Sequence, residues 1–322
     1  TIFHSAAPYF ERPVFFNNGK FIINSRESAE TVKNYFRVNL SDSVYTQITN
    51  FSNPYPELNG VQKKQVSYTR LDGINLGGTL YLPAGFKIGD TPLPVLMWAY
   101  PREFKTIEAA GQVKGSPYTF SMLSSGSPVY WVTRGYAVLD NADMPIVGES
   151  NKEPNDTFIE QIRYNAEAAI NYLVKMGVAD RKRIAIGGHS YGAFMTANLL
   201  AQTDLFAAGI ARSGAYNRSL TPFGFQAEER TFWQVPSVYN KMSPFSYADK
   251  IKAPLLLIHG QADNNTGTFP MQSERLYTAL KGHGAITRLV LLPSESHAYR
   301  AKESILHMMW EMDNWLEKYV KK

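Results

Sequence analysis

A serine stands between two glycines at Gly188-His189-Ser190-Tyr191-Gly192, where the β-branched run RIAIGG gives way to an Ala/Leu-rich stretch. A serine hydroxyl is a poor nucleophile at neutral pH and needs a base beside it, itself oriented by a carboxylate. Gly-x-Ser-x-Gly can supply the geometry. The glycines let a strand turn sharply into a helix, which raises the hydroxyl at a helix N-terminus whose dipole favours developing negative charge. Two loops downstream offer the partners. Gln261-Ala262-Asp263 follows the apolar run APLLLIHG, and Ser294-Glu295-Ser296-His297 follows TRLVLLP. Serine, acid and histidine in that chain order, each after a strand, is one recurrent arrangement of the triad. The expected catalytic set is Ser190, Asp263 and His297.

The other histidines are weaker bases on position. His259 ends its strand before Gly260, reads as a turn or packing residue, and is the runner-up to His297. His189 adjoins the nucleophile, but its side chain should point away from that of Ser190. Glu295 is too near His297 to orient it, and Asp180 precedes the elbow strand. Acyl transfer also needs donors for an oxyanion. One is the backbone N–H of Tyr191. The second should come from Tyr100-Pro101-Arg102-Glu103-Phe104, after PVLMWA, where no HGGG-type run occurs. The phenol of Tyr100 is a candidate there, and a core tyrosine is the competing reading.

These residues need a scaffold of alternating strands and helices. QVSYTRLDGINLGGTLYLP reads as a hairpin around Asp72-Gly73, and PVLMWAY and GYAVLDNA as strands buried on both faces. In TFIEQIRYNAEAAINYLVKMG, residues Phe158, Ile162, Ala166, Ala169 and Leu173 share one helical face, with Thr157 and Glu160 as an expected capping box. FAAGIARSG, APLLLIHG and TRLVLLP are further strands. A helix from about Pro270 to Leu280 stops at Gly282, and a last helix carries Ile305, Met309, Met312, Leu316 and Tyr319. The expected fold is therefore α/β: a doubly wound, mostly parallel sheet of the α/β-hydrolase kind. Residues 1–60 differ in texture. GKFIINS, KNYFRVNL and SVYTQITNF read as three short strands, and Asn53-Pro54-Tyr55-Pro56 as a linker. We expect a small antiparallel β segment over 1–60 and the catalytic domain over 61–322.

The 322 residues are 44% hydrophobic and 19% charged, enough for a large core. The net charge of +5 is scattered, with no basic run, so no nucleic-acid partner is expected. With no cysteine, thiol nucleophiles, thiolate metal sites and disulfides are excluded. No H-E-x-x-H, Walker or dinucleotide loop occurs, so neither metal nor cofactor is expected. No apolar run reaches the roughly 20 residues that span a bilayer. The chain begins with Thr1 and shows no signal-peptide pattern. It reads as a soluble piece, processed or excised, of unknown compartment.

From about residue 60 onward the sequence resembles the catalytic domain of the prolyl oligopeptidase family of serine peptidases. GGHSYGAFMTANLLAQTDLF, ARSGAYNRSLTPFGFQ, MSPFSYADKIKAPLLLIHG and KGHGAITRLVLLPSESHAY look most like the glutamyl endopeptidase branch. The resemblance implies a triad of Ser190, Asp263 and His297 and a side-chain oxyanion donor in Tyr100. It makes residues 1–55 the last blade of a propeller whose other blades are absent from this sequence. It implies a peptide substrate, cleavage after Glu, and Arg218 as a lining residue of the primary specificity pocket. A homo-oligomer stays open. The competing functions are a carboxylesterase, which uses the same machinery, and a catalytically idle α/β scaffold.

Overall fold

A computed structural model of the chain describes residues 3–110, 116–149 and 152–322. Two sheets organise it. Strands β1 (Phe10–Phe16), β2 (Phe21–Glu27), β3 (Asn34–Asn39) and β4 (Tyr45–Gln47) form an antiparallel meander in sequence order. The sequence pattern predicts three of these strands but not β1. Its Glu11-Arg12-Pro13 run breaks the apolar alternation, and proline is tolerated because β1 is an edge strand. Its end, Val14-Phe15-Phe16, is exposed.

The larger sheet contains β5 (Gln62–Thr69), β6 (Asn75–Leu82), β7 (Leu93–Phe104), β8 (Ala137–Val147), β9 (Ala179–His189), β10 (Ala208–Arg212), β11 (Leu255–Gly260) and β12 (Thr287–Leu292). They lie in the order β12-β11-β10-β9-β7-β8-β6-β5. The six strands from β12 to β8 pair in parallel, while β6 pairs antiparallel with both β8 and β5. This is the expected mixed, mostly parallel sheet. Beyond a single turn, α1 (Ile107–Ala110), the helices are α2 (Phe158–Lys175), α3 (Tyr191–Gln202), α4 (Pro236–Met242), α5 (Met271–Gly282) and α6 (Lys302–Leu316).

Apolar runs in the central strands are consistent with burial on both faces: Val95 to Met97, Ile184 to Ile186 and Leu255 to Ile258 have no exposed surface. One core layer joins them to α2, α3 and α5, and the other joins them to Trp131 and the Met308, Met312 and Leu316 stripe of α6. The predicted face of α2 is buried at all five positions. Its predicted cap is not formed. The chain enters through a 3-10 turn, Pro154–Thr157, whose box is made by Glu153 and Asp156. Thr157 instead accepts from Gln161 Nε2 at 2.9 Å.

The segment after β4 is packed rather than loose. Tyr55 stacks on Phe120 and donates to the Leu123 carbonyl at 3.1 Å, while Glu27 accepts from the Phe120 N–H at 2.8 Å. Residues 119–123 thus hold the small sheet against the large one.

Candidate active site

The turn from β9 into α3 holds Ser190 at φ 59°, ψ −117°, a region that a non-glycine residue occupies at a cost of about 1–3 kcal/mol. Surrounding bonds fix it there. The Ser190 N–H donates to the Arg212 carbonyl at 2.7 Å, and its own carbonyl takes the N–H groups of Ala193 and Phe194. Both flanking glycines are required. A Cβ on Gly192 would strike the Ala99 carbonyl oxygen, and one on Gly188 would strike the Gly192 backbone. Tyr100 lies within β7 rather than on the loop expected after PVLMWA, because β8 pairs with β7 as far as Phe104. The close approach of α3 to Ala99 sets the Tyr100 ring 5.9 Å from that of Tyr191.

Asp263 and His297 meet at the ends of β11 and β12. The Ala262 N–H donates to the Glu295 carbonyl at 2.8 Å. The backbone of 295–296 also crosses Gly260 so closely that a Cβ there would strike both carbonyls. The two loops are thereby locked together. His297 Nδ1 lies 2.8 Å from Asp263 Oδ2, and the Asp263 side chain is wholly buried. Because Nδ1 faces a carboxylate, it carries the proton and leaves the Nε2 lone pair free. Thr268, whose hydroxyl lies 3.1 Å from His297 Nδ1, lines the same cavity as Ser190. Glu295 does not orient the imidazole. Its carboxylate accepts from the N–H groups of Arg300 and Ala301, both at 2.8 Å, shaping the approach to α6.

Tyr191 begins α3, so its N–H is among the helix-terminal donors that lack an intrahelical acceptor. Its buried ring is held by a 2.7 Å hydrogen bond from its hydroxyl to Glu103, whose carboxyl is pushed above its usual range by burial. Tyr100 is 41% exposed rather than a core residue. Its hydroxyl donates to Gln226 Oε1 at 3.4 Å, and the Ser190 side chain is among the groups that act on it. Burial and nearby Glu103 keep the phenol protonated well past neutral pH, so it can donate. Replacing Tyr100 with Phe is expected to lower kcat by about 10²- to 10³-fold with little change in KM, as befits a donor engaged mainly in the transition state. Steady-state kinetics beside a thermal melt checks this. A loss of stability in step with activity would mark a packing role instead.

Three arginines follow β10 or end it, and the structure separates them. Arg230 is paired with Glu228 at 2.8 Å and Asp156 at 2.9 Å. Arg212 lies over Trp98 and donates to the Gly126 carbonyl at 3.1 Å. Arg218 is the one that lines a cavity of about 450 Å³ with Ser190. It is 4% exposed and caged by Phe194, Phe225 and Tyr191, at 4.0, 4.3 and 5.2 Å from their ring centroids. No carboxylate of the described residues lies within 4.0 Å of it, and its Nε has no partner. Burial pushes its pKa down to about 10, so it stays charged at neutral pH.

Two histidines occupy places that sequence reasoning did not foresee. The His189 ring packs 4.8 Å from that of His297 and edge-on to Tyr299. Burial, reinforced by Arg212, lowers its pKa to about 3, so it is a neutral ring packed beside His297. His259 touches Asp263 directly. Among the described residues, no cluster of three or more His, Asp or Glu is arranged to hold a metal ion.

A mostly parallel sheet carrying a serine at the β9–α3 turn, with an aspartate–histidine pair on the loops after β11 and β12, defines an α/β-hydrolase of the serine-nucleophile class. Residues 164–322 match the family model described as prolyl oligopeptidase family, and the chain belongs to that family of serine peptidases. It is 56% identical, over 92% of its length, to the Arabidopsis thaliana protein named "Probable glutamyl endopeptidase, chloroplastic". The rice protein of the same name is 54% identical over the same share. This chain spans only 31% and 32% of those two relatives. Among solved structures, Porphyromonas gingivalis dipeptidyl peptidase 4 superposes with a TM-score of 0.72 at 19% identity, covering 96% of this chain and 43% of that one. Pyrococcus horikoshii acylaminoacyl peptidase gives 0.69 at 22% identity, covering 94% and 48%. These two likenesses concern the fold. No helix of the described residues is long and apolar enough to cross a membrane.

Proposed function

We propose that this chain is the catalytic part of a serine endopeptidase that cleaves after glutamate through an acyl-enzyme. Ser190 Oγ attacks the scissile carbonyl carbon while His297 Nε2 takes its proton. The oxyanion is held by the Tyr191 N–H and the Tyr100 hydroxyl. His297 then passes the proton to the leaving amine, and a water attacks the acyl-enzyme by the same route in reverse. Asp263 keeps Nδ1 protonated throughout. Residues 1–60 act as a propeller-derived segment and 61–322 as the catalytic domain. The relatives' extra length supplies the propeller, and a peptide is the substrate.

The observation that carries the glutamate reading is Arg218: a buried cation that lines one cavity with Ser190 and, among the described residues, has no carboxylate within 4.0 Å, Glu103 acting on it only from further off. A substrate carboxylate would be prohibitively costly to bury without such a countercharge. The planar guanidinium suits bidentate pairing. A charged hydrogen bond contributes about 1.5–3 kcal/mol. Arg218→Ala should therefore cut kcat/KM for peptides with Glu before the scissile bond by about 10- to 150-fold and spare those with Gln or Leu. Three matched peptide anilides test this. An equal loss on all three would show that Arg218 does not read charge.

A further inference from the structure

The carboxylate of Asp263 is shared by two histidines. His297 Nδ1 lies 2.8 Å from Oδ2, and His259 Nε2 lies 3.1 Å from the same oxygen. The Thr268 hydroxyl donates to Oδ2 at 3.2 Å, and the Asn265 N–H donates to Oδ1 at 3.0 Å. All the donors that replace hydration on this wholly buried side chain are therefore supplied by the protein.

The tautomer of His259 follows from its neighbours. Nε2 faces two acceptors, Asp263 Oδ2 and the Thr268 carbonyl at 2.6 Å, so Nε2 carries the hydrogen. Nδ1 then accepts from the Ser273 hydroxyl at 2.6 Å, near the start of α5. The ring is completely buried, which with neighbouring His297 lowers its pKa, against the pull of Asp263. The titratable groups facing it are Asp263, His297 and, further off, His189. A neutral imidazole clamped at both nitrogens thus holds the same carboxylate oxygen that meets His297.

We propose that His259 is a positioning residue, which fixes the rotamer of Asp263 so that Oδ2 meets His297 Nδ1 and the base stays aimed at Ser190. The inference rests on the serine-hydrolase reading. Misplacement of a catalytic group by about 1 Å can cost about 10²-fold in rate, and a second anchor on the carboxylate is how such a shift would be prevented.

Two substitutions of similar size distinguish positioning from packing. In His259→Gln the amide nitrogen can reach the place of Nε2 and still donate to Asp263. In His259→Asn it reaches only the place of Nδ1. His259→Asn is expected to lower kcat by about 10- to 100-fold with KM unchanged, and His259→Gln to stay within about 5-fold of the parent. Ser273→Ala leaves the ring in place, frees only Nδ1, and should fall between. Fluorophosphonate titration of the parent first establishes that the serine is reactive, so failure there indicts the serine reading alone. The same titration counts folded, competent sites in every variant. Equal kcat losses in the Asn and Gln variants overturn the proposal, as does a loss seen in titratable sites rather than in kcat.

Discussion

Ser190→Ala is expected to lower turnover by about 10⁶-fold, the loss seen when a comparable hydrolase loses its nucleophile. The reason is local. Neither neighbouring hydroxyl can stand in, because the Tyr100 phenol is held protonated and the Thr268 hydroxyl is committed to Asp263. What survives is the oxyanion cradle and the pocket, which alone still give about 10³- to 10⁴-fold over water. The fold should be intact, since the bonds that fix this residue come from its backbone. Fluorophosphonate labelling should be stoichiometric in the parent and absent in the alanine variant, with circular dichroism unchanged. Full labelling of the variant would place the nucleophile elsewhere.

His297→Ala should be nearly as damaging, whereas Asp263→Asn should cost less, about 10⁴-fold. Histidine moves the proton, and without it no other ring is placed to do so. His189 is held neutral beside His297, and His259 is engaged at both nitrogens. The asparagine variant fails differently. Its oxygen could stay opposite the two histidines only if its amide nitrogen then faced the Asn265 N–H, a donor against a donor. If the amide turns over, its N–H group faces His297 Nδ1, and the imidazole must take the tautomer that lacks a free Nε2 lone pair. Either way the base is impaired but not absent. Steady-state kinetics on a Glu-containing anilide would rank the three variants. A mild His297→Ala beside an inactivating His259→Ala would exchange the roles of the two rings.

The parts of this architecture that rest on local pattern were legible in the sequence. RIAIGG followed by SYGAFM carries its own turn chemistry, and APLLLIHG and TRLVLLP are long apolar runs that end where a loop must begin. The face of α2 follows from its 3.6-residue period. The illegible parts depend on partners far along the chain. β1 hides its pairing behind Pro13, and only the register with β2 shows that it is a strand. β7 runs on to Phe104 and β8 to Val147 through polar residues, because each supports the other in parallel. The clamp on Asp263 needs a histidine from β11, a carbonyl from its following loop and a hydroxyl from α5. No spacing rule links those three. Arg218 could be nominated from its loop, but its aromatic cage draws on α3 and on residues further along that loop.

The left-handed turn at Ser190 has a consequence for how such a chain can be improved. The residue sits in a backbone conformation that only glycine adopts freely, so the position proposed to react is also a stored conformational tension. Laboratory evolution scored on heat tolerance or expression yield alone would be drawn toward relaxing that tension, and the simplest relaxation deletes the hydroxyl. Robustness and reactivity are opposed at this position in the chain. Stabilising changes are better sought far from it, on exposed positions of α6.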